Sequence, residues 1–64
     1  GVSLKEEEIE VLRLSAAGLT MTEIANRMCR SLDSIKTYKR HAFDKLGVAN
    51  ITEAISRATL NKLF

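Results

Sequence analysis

Residues 20–47 read TMTEIANRMCRSLDSIKTYKRHAFDKLG. Two helix-start signals stand in this stretch. Thr20 followed by Glu23 fits a capping box, in which each side chain satisfies a free backbone N–H near the other. It predicts a short helix from about Met21 to Met28, with Ile24, Ala25 and Met28 on one face. Ser31 is a good N-cap for a second, longer helix. That helix runs from about Leu32 to Leu46, where Gly47 supplies the left-handed residue that ends helices. At about 100° per residue, Ile35, Lys39, Ala42 and Leu46 share one sector, with Tyr38 at its edge. The stem of Lys39 is expected to snorkel along the border of this stripe. Asp33, Lys36, Thr37, Arg40 and Asp44 occupy the opposite sector. Only Cys29, Arg30 and Ser31 separate the two helices. A short helix, a tight connection and a longer helix make a helix-turn-helix, here without the glycine often found in the turn.

Working outward, a helix from about Leu4 to Ala17 precedes this unit and one from about Ile51 to Leu60 follows it. Ser3 with Glu6 predicts a capping box for the first. Glu6, Glu7 and Glu8 then suit the positive end of its dipole, and Gly18 closes it. Val11, Leu12 and Leu14 give it an apolar stripe. Asn50 and Glu53 form the capping arrangement of the last helix, and Ala54, Ile55 and Ala58 are its apolar positions. The expected fold is all-α, a single four-helix helix-turn-helix domain over residues 1–64.

Composition agrees. The chain has 64 residues, no Pro and no Trp. A chain this short has a small core and little room for an enclosed substrate pocket. No apolar run approaches the ~18 residues of a membrane span. No targeting segment is visible, so the chain reads as a domain excised from a longer cytoplasmic protein. One cysteine cannot form an internal disulfide, which agrees with a reducing compartment. Net charge is only +2, but it is unevenly placed. Residues 1–29 carry three Lys and Arg against five Asp and Glu, whereas residues 30–64 carry seven against three. A basic half opposite an acidic one suits a polyanion partner.

The third helix's outer face gives that partner a form. An α-helix fits the major groove of B-DNA, where each base pair shows its own donor and acceptor pattern. Lys36 and Arg40, one turn apart, can donate to guanine O6 and N7. Thr37 beside them suits a base edge or a thymine methyl. Thr20, Thr22, Ser31 and Ser34 lie at helix starts, where free N–H groups and hydroxyls hold phosphates. Lys39 and Lys45 flank the reading face. Plain capping accounts equally well for Thr20 and Ser31, and a solvated charged face is the plain account of Lys36 and Arg40. Ile51, Ile55 and Thr59 recur at every fourth position and predict an exposed stripe for self-association on the fourth helix. His41 and Cys29 are single, so zinc lacks its four ligands and a Cys–His nucleophile lacks its orienting group. No metal, cofactor or enzymatic activity is expected. Cys29 reads as a small buried hydrophobe. Phe43 is expected at the core border, and Tyr38 beneath the reading helix.

Taken in order, Glu8, Val11-Leu12, Ala17-Gly18-Leu19-Thr20, Glu23-Ile24-Ala25, Ser31, Ser34-Ile35-Lys36, Lys45-Leu46-Gly47-Val48, Asn50 and Thr52-Glu53-Ala54 carry a family pattern. The sequence resembles the C-terminal DNA-binding domain of LuxR-type bacterial transcription regulators (NarL or GerE type), from Leu4 to Phe64. The resemblance implies a third helix in the major groove of double-stranded DNA. Base contacts would fall to Lys36, Thr37 and Arg40, and phosphate contacts near Thr22, Ser34 and Lys45. It also implies weak homodimerisation through the fourth helix and an N-terminal sensory or phospho-receiver domain in the full protein. Four positions depart from the pattern. Lys5 stands in place of a capping Thr or Ser, which would move the helix start to Ser3. Arg30 replaces an apolar turn residue, Tyr38 a His, and Lys62 a Gly near the end of the last helix. Two other readings stay open. A sigma-factor promoter-recognition domain shares the early rhythm but usually lacks the Lys-Leu-Gly-Val turn and the capped fourth helix. A helical protein-interaction module would suit the carboxylates of Asp33 and Asp44 on the outer face.

Overall fold

The caps at Thr20, Ser31 and Asn50 set three of the four helices. In a computed structural model that describes residues 3–63, the elements are α1 (Glu6–Ala16), α2 (Met21–Met28), α3 (Leu32–Leu46) and α4 (Ile51–Leu60). The Thr20 hydroxyl accepts from the Glu23 N–H at 3.2 Å, and the Glu23 carboxylate accepts from the Thr20 N–H at 2.8 Å. Ser31 accepts from the Ser34 N–H at 3.1 Å, and Asn50 from the Glu53 N–H at 2.9 Å. Glu53 reaches back one residue further than expected, to the Ala49 N–H at 3.3 Å.

The start of α1 differs from the expectation. The Ser3–Glu6 box does not form; Lys5 is the N-cap, and the Glu8 carboxylate accepts its N–H at 2.8 Å. The reason is tertiary. Glu8 is completely buried, and its Oε1 also receives the Lys45 ammonium of α3 at 2.8 Å. Its Oε2 lies 3.7 Å from His41 Nδ1. A carboxylate fixed by a cation from another helix determines which backbone N–H it can reach, and that N–H belongs to Lys5.

Two clusters form the core. Val11 and Leu14 of α1 meet Ile24 and Ala25 of α2 and Ile35 of α3. Leu12 of α1 meets Ala42 and Leu46 of α3 and Ala54 and Ala58 of α4. Helix α1 is therefore a wedge, apolar on two flanks. Helix α3 enters the first cluster through its first turn and the second through its last two, so it is held from behind along its length. Leu12, Ile24 and Ile35 have no exposed surface; each such side chain contributes ~1.5–3 kcal/mol by burial. Ala25, Ala42, Ala54 and Ala58 fill buried positions where the helices meet in the two clusters.

All four helices end alike. A left-handed or turn residue donates to the carbonyl three back, and the next residue donates to the carbonyl five back: Gly18 and Leu19, Cys29 and Arg30, Gly47 and Val48, Lys62 and Leu63. This is the Schellman closure. Glycine fills the left-handed position at Gly18 and Gly47, but Cys29 and Lys62 adopt it with φ of 56°. Lys62 thus takes the conformation of the Gly it replaces, and the fourth helix ends where expected. Cys29 is exposed, not buried as its type suggested, because the terminating position of a helix points its side chain away from the core.

Two predictions follow from this packing. Replacing Lys45 by Met strands the buried Glu8 charge and should cost about 3 kcal/mol at neutral pH, the low end for a broken buried pair because Lys45 is itself half exposed. Burial raises the Glu8 pKa, but the Lys45 and Lys5 hydrogen bonds and the charges of Lys45 and His41 outweigh it, leaving it below the ordinary 4.5. A folded pKa depressed in this way stabilises above 4.5 and loses that contribution as pH falls through the lowered value. Urea unfolding should therefore show the Lys45→Met penalty shrinking in acid; a penalty equal at both ends of the pH range would refute the pairing. Separately, Cys29→Gly and Lys62→Gly each relieve ~1–2 kcal/mol of left-handed strain against ~0.5–1 kcal/mol of added chain entropy. Each should raise the melting temperature by a few degrees, and a fall would contradict the cap assignment.

Candidate nucleic-acid interface

The outer face of α3 is set by its inner one. With Ile35, Ala42 and Leu46 buried, helical geometry turns Asp33, Lys36, Thr37, Arg40 and Asp44 outward, and all five are exposed. Among the described residues neither Lys36 nor Arg40 is in a salt bridge. Thr37 lies beside them and donates its hydroxyl proton to the Asp33 carbonyl at 3.0 Å. The three residues expected to meet bases are thus brought together as two neighbouring cationic donors with a threonine at their side.

The flanking hydroxyls divide by occupation. Thr20 and Ser31 are both engaged as caps. Ser31 also donates to the Ser34 oxygen at 3.0 Å, which leaves Ser34 its own proton. Thr22 is exposed at the start of α2. Lys39 is half buried, as its place at the stripe's border predicts, with its ammonium 5.6 Å from the Phe43 ring centroid. A groove of about 320 Å³ beside the reading face is lined by Met21, Lys36, Lys39, Arg40, Phe43, Asp44 and Val48. It joins the start of α2 to the middle of α3. Tyr38 packs against the first core cluster and Phe43 against the second.

Two site expectations change. Lys45 is the partner of buried Glu8, a role no local pattern could reveal, because 37 residues separate the two. The fourth-helix stripe is not fully exposed. Ile51 shares the face of Ala54 and Ala58, three and seven residues on, and packs against the second cluster. Ile55 is half buried and Thr59 exposed, bonded to the Ile55 carbonyl at 2.9 Å. The apolar side chain that does face out is Leu60, 78% exposed. Among the described residues no group of His, Cys, Asp and Glu could hold a metal ion, and no helix is long and apolar enough to cross a membrane.

Comparison with known proteins gives this geometry a family. Residues 2–58 match the GerE family, described as bacterial regulatory proteins of the luxR family. The transcriptional regulatory protein RcsB of Escherichia coli K12 is 49% identical over 47 residues, 73% of this chain and 22% of that protein. The Fimbriae Z protein of the same organism is 33% identical over 60 residues, 94% of this chain and 29% of that protein. The crystal structure of the response regulator ChrA, of a heme-sensing two-component system, superposes with a TM-score of 0.90 at 35% identity, over 97% of this chain and 31% of that one. The chain therefore spans less than a third of the relatives it matches. Of the two nucleic-acid readings the sequence leaves open, the match selects this family over the sigma-factor one. With its four helices and outward α3 face, the chain belongs to the luxR family of bacterial regulatory proteins.

Proposed function

We propose that the domain binds double-stranded DNA sequence-specifically, with α3 in the major groove and Lys36, Thr37 and Arg40 at the base edges. The observation that carries this reading is the exposed Lys36–Thr37–Arg40 face on a helix whose other side is anchored in both core clusters. A rigid backing is what a base-reading helix needs, since recognition depends on hydrogen-bond positions. Phosphates on either side are held by Thr22, Ser34 and Lys39, with the first N–H groups of α2 and α3 beside the caps Thr20 and Ser31. Lys45 has three donors and spends one on Glu8, so two remain for a phosphate. In the full-length protein this domain follows an N-terminal receiver or other sensory domain and works in the bacterial cytoplasm. Two copies pair weakly through the outer side of α4, at Ile55 and Thr59 with the edge of Ile51, and Leu60 beside them.

Binding to mixed genomic fragments across a salt series tests the DNA reading. Lys36→Ala and Arg40→Ala should each cost ~1–3 kcal/mol on preferred fragments, and Lys39→Ala should weaken all fragments and flatten the log–log salt slope by about one. Binding that ignores salt would instead identify a protein-interaction surface, the reading that Asp33 and Asp44 on this face would favour. For the α4 pairing, sedimentation equilibrium should show Thr59→Arg abolishing association at high concentration without lowering the melting temperature. An unchanged association constant would move the interface elsewhere.

A further inference from the structure

We propose that the groove beside α3 binds a free medium-chain fatty acid anion. Its floor is apolar and its rim is cationic. Met21 packs against the first core cluster, and Phe43 and Val48 against the second. All three are half-buried, so each shows one side to the core and the other to the groove. The seam between the clusters thus opens on the surface as an apolar channel of about 320 Å³, the size of a small-molecule site. Lys36, Lys39 and Arg40 also line it, and among the described residues none of them is in a salt bridge. The one carboxylate of the lining is Asp44. Lys36, Arg40 and Asp44 occupy successive turns of α3, so positive charge gathers toward one end of the groove and negative charge marks the other. This polarity suits an occupant with one anionic head and an apolar tail. The Arg40 guanidinium can hold a carboxylate through two hydrogen bonds, with the Lys36 ammonium one turn away. The alkyl chain then lies over Phe43, Val48 and Met21, whose thioether adapts to an irregular surface. A second anionic group at the far end would meet Asp44. Phosphate contacts use the cations but leave the apolar floor without a partner, so DNA alone does not account for the groove. A bound acid covers Lys36 and Arg40 and thereby excludes DNA from α3. That competition rests on the DNA-binding reading, whereas the binding itself does not.

The probe is decanoate below its micelle-forming concentration, titrated into the isotope-labelled 64-residue domain. NMR shifts should saturate at Met21, Lys36, Arg40, Phe43 and Val48. Decyltrimethylammonium has the same chain with the opposite charge and should give no saturable shift there. Octanoate, two methylenes shorter than decanoate, should bind about fourfold more weakly, half the effect of two fully buried methylenes. Val48→Thr should weaken decanoate binding and leave unchanged the affinity for a duplex enriched from a randomised library. The three-ligand comparison needs no variant and stands whether or not Val48→Thr folds. Saturating decanoate should release the enriched duplex, and decyltrimethylammonium should not. The proposal fails if both amphiphiles bind alike, if the shifts centre on the exposed Leu60 of α4 instead, or if vesicles of anionic phospholipid shift the groove residues and monomeric decanoate does not. A duplex retained at saturating decanoate would overturn the competition. A domain that enriches no duplex removes the DNA-binding reading, while the decanoate shifts still decide the binding.

Discussion

Helix α3 has to be gripped on one side along its whole length while its other side stays bare. Everything else in this small domain serves that constraint. Ile35 seats its first turn among α1 and α2, and Ala42 and Leu46 seat the remainder among α1 and α4. The Glu8–Lys45 pair then pins the last turn of α3 to the first turn of α1. A buried ion pair of this kind contributes less to net stability than to geometry, since both partners lose hydration in forming it. Its effect is to fix the rotation of α3, and with it the direction in which Lys36, Thr37 and Arg40 point. A helix able to roll by a single residue step would turn this face by about 100° and present other side chains to a groove.

The turns meet the same demand at the helix ends. Each helix stops abruptly, and four closures of one type keep the connections short. In the turn before α3 the left-handed residue is Cys29, which holds the angle between α2 and α3 without a glycine. At three of the four closures the residue after the left-handed position is apolar (Leu19, Val48 and Leu63), and these pack against the core. Arg30 is the exception and stays exposed. The helix-turn-helix turn is thus the one closure where the residue after the left-handed position stays out of the core, Arg30 lining instead a groove with Glu6, Glu7 and Glu10 of α1.

Most of the fold was legible because it is written in local patterns. Thr20, Ser31 and Asn50 announce helix starts within four residues of sequence, and Gly18 and Gly47 announce ends. The reading face was legible for a related reason: helical periodicity converts the buried positions Ile35, Ala42 and Leu46 into the exposed positions Lys36, Thr37 and Arg40. What escaped is non-local. Ser3 and Glu6 imitate a capping box, whereas the helix starts after Lys5, the family's own cap position, with Glu8 held both on the Lys5 N–H and on the ammonium of Lys45, far along the chain. The same distance hid His41 beside Glu8. Residue type misled at Cys29, where backbone conformation outweighs hydrophobicity. Spacing misled at Ile51, since a period of four on a short helix drifts from the exposed face into the one buried by Ala54 and Ala58.

The measurement that tests the central claim most directly is an NMR amide-shift titration of the domain with a DNA duplex enriched by its own binding. The account predicts the largest changes along the outward face of residues 33–40 and at the first residues of α2 and α3. The acidic outer side of α1, at Glu7, Glu10 and Arg13, should stay silent. Changes concentrated on α1 or α4, with residues 33–40 undisturbed, would contradict the assignment of α3 as the reading helix.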